Sequence, residues 1–166
     1  SQGSRFLNQS LSKIIKKINL KNIQILWQTG DKEFQQYSSL SNKYIKVIPF
    51  INDMASAYSL SDLVICRSGA LTISELTACG KPSILIPFAA AAGDHQLKNA
   101  KTLSKKGASI IIEEKDFDSK ILLSKINDLI NNDSKLSSMS IASKKLGNKD
   151  ATKISVDLIV KGNYIV

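Results

Sequence analysis

The chain is poor in the residues that several functions depend on. One histidine and two cysteines, Cys66 and Cys79, stand among 166 residues, without the number or spacing of ligands that a zinc site takes. Both cysteines lie among apolar neighbours and read as buried, reduced thiols. Aromatic residues make up 6% of the chain, and they do not interleave with the basic residues as a single-strand nucleic-acid binder requires. The longest apolar stretch, residues 84–92, is interrupted by Pro87 and is about half the ~20 residues of a membrane span. No signal-peptide pattern opens the chain, which predicts a cytoplasmic location. No Gly-x-Gly-x-x-Gly follows a strand, so a nicotinamide or flavin site lacks its fingerprint.

What remains is ordinary in bulk. Hydrophobic residues at 43% and charged residues at 22% fit a soluble globular protein, and the length suits one domain with a proper core. The formal net charge of +9 is spread over several helical segments, carried by Lys13, Lys16 and Lys17, by Lys98, Lys101, Lys105 and Lys106, and by Lys144, Lys145, Lys149 and Lys153. That distribution predicts solvated helix faces first and contact with an anionic membrane surface second, with nucleic acid set aside.

Apolar residues recur at helical spacing from Arg5 to Ile18, and a short β-rich run over residues 22–27 follows. A weaker helix is expected over 32–39 and a strand over 44–48, stopped by Pro49. Asn52 or Asp53 then caps a short helix through Leu60. Residues 63–66 and 83–86 are continuous apolar runs, the mark of strands buried on both faces. Between them a helix from Ala70 to Cys79 stops at Gly80. Asp94 is expected to cap a helix to Lys106, followed by a strand over 109–112 and helices near 119–131, 134–146 and 149–160. Strands alternating with helices predict an α/β domain, a Rossmann-like doubly wound parallel sheet. In such domains ligands bind outside the carboxyl ends of the strands. Ser1-Gln2-Gly3 runs straight into the first helix, as a strand-to-helix turn does without its strand. The chain is therefore expected to be a piece cut inside a motif, with the first strand missing.

Each loop after a strand offers something polar or glycine-rich: residues 1–3, 28–30, 49–53, 67–70 and 87–96. Arg67-Ser68-Gly69-Ala70-Leu71-Thr72 is the sharpest. A glycine turn opening a helix leaves the amides of Ala70, Leu71 and Thr72 without partners, which with the positive helix end suits a phosphate. Arg67 adds a charge-assisted contact. The plainer reading is an ordinary strand-to-helix turn with Arg67 merely exposed. Glu75 lies one turn into that helix, where its oxygens can reach back towards the turn and accept from two ribose hydroxyls. Alternatively, Thr72-x-x-Glu75 is a capping box that needs no ligand. Gln96 and Asn99 carry donors and acceptors suited to sugar hydroxyls, against a plain helix start. His95 has the chemistry of a general base but no orienting partner in the sequence. Asp116-Phe117-Asp118 has a metal-binding Asp-x-Asp form, yet it precedes an amphipathic helix and reads as helix-entry polarity.

Taken together, these residues resemble the carboxy-terminal domain of MurG-type UDP-N-acetylglucosamine transferases. The likeness runs over essentially the whole chain. It is strongest over residues 66–76, Cys-Arg-Ser-Gly-Ala-Leu-Thr-Ile-Ser-Glu-Leu, then Gly80-Lys81-Pro82 and Asp94-His95-Gln96-Leu97-Lys98-Asn99-Ala100. Ser1-Gln2-Gly3 is similar to the end of the family's Gly-Gly-Ser-Gln-Gly turn, and residues 50–54 to its uracil-side loop.

The resemblance implies the C-terminal half of a two-domain GT-B glycosyltransferase. Such an enzyme moves GlcNAc from UDP-GlcNAc to lipid I, forming lipid II for peptidoglycan, at the inner face of the plasma membrane. It implies that Ile51 main-chain groups read the uracil edge with Met54 nearby. Glu75 would hold the ribose. Ser1 and the amides of Ala70, Leu71 and Thr72 would hold the diphosphate, Arg67 would stabilise the leaving UDP, and Gln2, Gly3, Gly69, Ile73 and Ser74 would belong to the same substrate-binding site. Gln96, helped by Asn99, would hold the sugar. No tightly bound cofactor or metal is implied, and the catalytic base and lipid I site are expected on an amino-terminal domain absent here. The bland run Ala89–Gly93 departs from the family, which often carries larger polar side chains there. Two rivals stay open: another nucleotide-sugar transferase half of the same fold, glycolipid or split dolichol-type, and a non-catalytic nucleotide-sugar-binding module.

Overall fold

The computed structural model describes residues 3–18 and 23–147. Ser1, Gln2 and the helix expected over 149–160 lie outside them. The chain divides into two compact units, one of residues 1–61 with 112–135 and the other of residues 62–111 with 136–166.

The first unit is built on two parallel strands, β1 (Ile25–Gln28) and β2 (Ile45–Ile48), paired Ile25 to Ile45 through Gln28 to Ile48. Ile45 and Val47 are buried while Lys46 between them is exposed, the period-2 alternation of a strand with one covered face. Helix α1 (Arg5–Ile14), continued by one 3-10 turn, and α2 (Asp31–Tyr37) contribute Ile15 and Tyr37 to a core with Trp27, Ile45 and Val47. The Trp27 and Tyr37 rings sit 5.1 Å apart. Helix α3 (Met54–Leu60) is capped by Asp53, whose carboxylate accepts from the Ser56 N–H, as expected. Helix α6 (Ser119–Ile130) is capped by Asp118 through the Lys120 N–H, so the Asp-x-Asp pattern does serve the helix entry.

The second unit holds three parallel strands in the order β3 (Val64–Cys66), β4 (Ser83–Leu85), β5 (Ser109–Ile111). Helix α4 (Ala70–Ala78) joins β3 to β4, α5 (His95–Lys105) joins β4 to β5, and α7 (Asp133–Leu146) belongs here from Leu136. Gly80 ends α4 at φ +63°, with its own N–H on the Thr77 carbonyl and the Lys81 N–H on Leu76. This left-handed stop is what the Gly80-Lys81-Pro82 run predicts.

Three expectations need correction. β4 is buried throughout, but β3 is only half-buried. Among the described strands β3 pairs with β4 alone, so within its own sheet it is an edge strand. Cys66 is half-buried on the edge strand β3, and Cys79 is exposed at the C-cap of α4, just past its last turn. Asp94 stands at the start of α5 but does not cap it with its side chain. Its backbone is left-handed, at φ 55° and ψ 25°, a region where Asp is one of the few tolerated residues.

The first unit also contains a buried polar joint. Asn8 is 2% exposed. Its amide nitrogen donates to the Thr29 carbonyl at 2.9 Å and to Glu33 Oε2 at 2.8 Å, and its oxygen accepts from the Trp27 indole at 3.0 Å. Arg5 Nε donates to the other Glu33 oxygen at 2.8 Å. The Asn8 hydrogen bond, with Arg5 adding to it against the opposing effect of burial, holds the Glu33 carboxyl below its ordinary value. Stability from such a lowered group is present above the unfolded carboxylate pKa and is lost as pH falls through the folded one. Asn8→Leu should therefore cost about 2–3 kcal/mol at neutral pH in urea unfolding, and the loss should narrow in acid as Glu33 protonates.

Candidate functional site

The residues singled out in the sequence fall in both units. In the second, β3 delivers Arg67 and Ser68 to the start of α4, and β4 delivers Pro87 and Phe88 to the approach to α5. Ser68 is fully buried. Its hydroxyl donates to the Gln96 main-chain carbonyl at 2.8 Å, its N–H donates to Gln96 Oε1 at 3.3 Å, and its carbonyl accepts from Asn99 Nδ2 at 3.1 Å. Gln96 Oε1 also accepts from the Phe88 N–H at 3.1 Å. Two main-chain donors thus face one branch of the carboxamide, which fixes the oxygen inward and the nitrogen on the other branch. Arg67 Nη1 donates to the Ile86 and Pro87 carbonyls, at 3.0 and 3.1 Å, and its guanidinium lies 5.4 Å from the Phe88 ring centre. Its charge is anchored at the end of β4 rather than swinging in solvent.

Helix α4 opens as the Arg67–Thr72 motif predicts. Its first main-chain bond runs from the Ile73 N–H to the Gly69 carbonyl at 3.0 Å, so the amides of Ala70, Leu71 and Thr72 lie ahead of the helical ladder. Ala70 and Leu71 are exposed. Ser74 turns its hydroxyl back on the Ala70 carbonyl at 3.1 Å. The capping-box reading fails, because the helix starts after Gly69 and Thr72 is its third residue, not its cap. Glu75 is half-buried on the next turn, close enough to Cys66 for its charge to act there. Burial first, and Glu75 second, push the Cys66 thiol up to about 12.

Gly69 itself is not strained. Its φ of −61° and ψ of 153° suit any residue, and an added Cβ would meet nothing within 4 Å. Among the described residues, neither its conformation nor its surroundings demand a glycine there. A ligand approaching the turn closely would give a reason for one.

In the first unit, Gly3 has φ +77° and an added Cβ would collide with the Thr29 carbonyl. This turn therefore admits no other residue without moving. The Ile51 N–H donates to Gln28 Oε1 at 2.9 Å, so in this structure one of the two main-chain groups assigned to a base edge is already in use. Met54 is half-buried at the start of α3. His95 is exposed at the start of α5. The residues least legible in the sequence are Ser68 and Gln28. A small polar residue at the buried end of a strand was the signal for Ser68, while nothing local marks Gln28 as a clamp.

Two outcomes follow from this geometry. Gly69→Ser should raise stability by roughly 0.5 kcal/mol, since serine caps a helix better than glycine and has less freedom to lose. Urea unfolding checks this, and a loss would mean the glycine is needed by the chain itself. Alkylation of the folded chain at about pH 8.5 should modify Cys79 and spare Cys66, with both modified after unfolding, as read by mass spectrometry.

Comparison with known proteins identifies the family. The glycosyltransferase family 28 C-terminal domain matches residues 1–154. A protein of Syntrophus aciditrophicus named UDP-N-acetylglucosamine–N-acetylmuramyl-(pentapeptide) pyrophosphoryl-undecaprenol N-acetylglucosamine transferase is 40% identical over 162 residues, 95% of this chain and 45% of the relative. One of the same name from Syntrophotalea carbinolica is 39% identical over 153 residues, 89% of this chain and 43% of the relative. The crystal structure of Acinetobacter baumannii MurG superposes with a TM-score of 0.89 at 34% identity, covering 97% of this chain and 47% of that one. The chain thus spans somewhat under half the length of the relatives it matches. It belongs to glycosyltransferase family 28, over the C-terminal domain of that family.

Proposed function

We propose that this chain binds UDP-GlcNAc as the donor half of an inverting hexosyltransferase that converts lipid I to lipid II. The observation that carries the reading is the turn at Ser68-Gly69-Ala70. A helix opens there with its first amides ahead of the ladder, at a glycine that leaves the turn open to close approach and one turn before a half-buried carboxylate. The family and the relatives' names support it.

In this reading the Ala70–Thr72 amides take the diphosphate, with the positive end of α4 and the anchored Arg67 charge favouring the departing UDP. Ile73 and Ser74 continue that turn. Glu75 accepts from the ribose hydroxyls. Gln96 turns its amide donors, and Asn99 its carbonyl, to the GlcNAc hydroxyls. For the first unit the reading assigns the Ile51 carbonyl and Met54 to uracil, and Ser1, Gln2 and Gly3 to the diphosphate. The acceptor attacks the anomeric carbon while a base removes its hydroxyl proton. The reading places that base and the lipid I site on residues beyond this sequence, in keeping with the share of each relative that the chain spans. It also places the enzyme on the cytoplasmic face of the membrane as a peripheral protein. Among the described residues no helix is long and apolar enough to cross a membrane.

Calorimetric titration of the chain with UDP-GlcNAc, UDP-GalNAc and UDP tests the reading. Saturable binding that prefers GlcNAc is expected. Glu75→Ala should weaken both UDP-GlcNAc and UDP by about 2 kcal/mol, the worth of a hydrogen bond to a charged group, or some 30-fold. No binding by a folded chain would overturn it.

A further inference from the structure

Gln96 is assigned above to sugar hydroxyls alone, yet its oxygen is spent inside the protein. Oε1 accepts the N–H groups of both Ser68 and Phe88. The Gln96 main-chain carbonyl takes the Ser68 hydroxyl, and Asn99, one turn on, takes the Ser68 carbonyl. Every polar group of a fully buried residue is therefore bound by the first two turns of α5. Ser68 directly precedes Gly69, the residue from which α4 starts. A peptide group is planar, so holding the Ser68 N–H and C=O fixes the two planes on either side of this residue. The second plane contains the Gly69 N–H. The direction in which the chain enters α4, and hence the aim of the amides of Gly69 to Thr72, is set by what holds Ser68.

We infer that Gln96 is a positioning residue for the diphosphate turn, acting through Ser68, in addition to any contact with the sugar. The inference rests on the donor-binding reading and extends it. The two branches of one carboxamide do separate work, the oxygen aiming the phosphate donors and the nitrogen facing the sugar. A nucleoside diphosphate that has no sugar for Gln96 to touch must then still depend on it.

The test is UDP itself, titrated into the chain and into Gln96→Leu, which keeps the side chain's bulk and loses its acceptor. UDP should bind about tenfold more weakly to the variant, the worth of one or two hydrogen bonds lost from a preorganised turn. Uridine, which has no phosphate, should bind both equally. Ser68→Ala cannot touch a ligand from its buried position. It should weaken UDP as well, and the two substitutions together should cost less than the product of their separate effects. In the ligand-free chain, Gln96→Leu should shift the amide resonances of Ser68, Gly69 and Ala70. Unchanged UDP affinity with weakened UDP-GlcNAc would make Gln96 a sugar contact only and overturn the inference. Equal loss of uridine and UDP would do so too, as general damage to the fold. If the unaltered chain bound no UDP, the donor-binding reading would fall instead, and unmoved amide shifts would dispose of the positioning role independently.

Discussion

The second unit is organised around one residue that water cannot reach. Ser68 sits at the end of β3 with no exposure, and a buried main-chain N–H or C=O left unpaired costs on the order of 1–3 kcal/mol. All three of its polar groups find partners on α5. The strand-to-helix turn and the helix after the next strand are consequently one rigid object, although 28 residues of sequence separate Ser68 from Gln96. Phe88 joins the same carboxamide, and Arg67 ties the turn to the end of β4 through two carbonyls. The amides at the head of α4 inherit their direction from this lattice.

The first unit solves a similar problem with different chemistry. Asn8 has no strand to pair with, so it bonds an indole, a carbonyl and a carboxylate at once. By holding the Thr29 carbonyl it also fixes the surface on which Gly3 rests. A side chain of one methylene and an amide therefore governs how closely the turn before α1 lies against the end of β1. Gln28 does the same for the next loop by occupying the Ile51 N–H.

Much of this was legible in the sequence because the governing signals are local. Period-2 alternation, left-handed glycine stops and side-chain caps act within a few residues, and β2, Gly80, Asp53 and Asp118 are all where those rules put them. The motif from Arg67 to Glu75 was visible as a turn opening a helix. What stayed hidden depends on neighbours distant in sequence. An apolar triplet does not state whether its strand will be flanked on both sides, so β3 read as fully buried. Cys79 has apolar neighbours in sequence but stands exposed at the C-cap of its helix. Asp94 has the composition of a cap and the backbone of a left-handed turn. Thr72 and Glu75 have the spacing of a capping box, but the helix begins two residues before Thr72 rather than just after it. The oxygen of Gln96 was unreadable for the same reason, since its partners come from two other loops.

The fixed carboxamide of Gln96 has a consequence for the kind of molecule that can lie against it. With its oxygen consumed, the side chain presents only hydrogens outward, and so meets lone pairs favourably and other hydrogens badly. A hydroxyl complies by rotating its own proton away, and an acetamido group complies through its carbonyl. A free ammonium has no lone pair to offer and brings its positive charge against positive hydrogens. The surface is thus polarised against unmasked amino sugars before any question of shape arises.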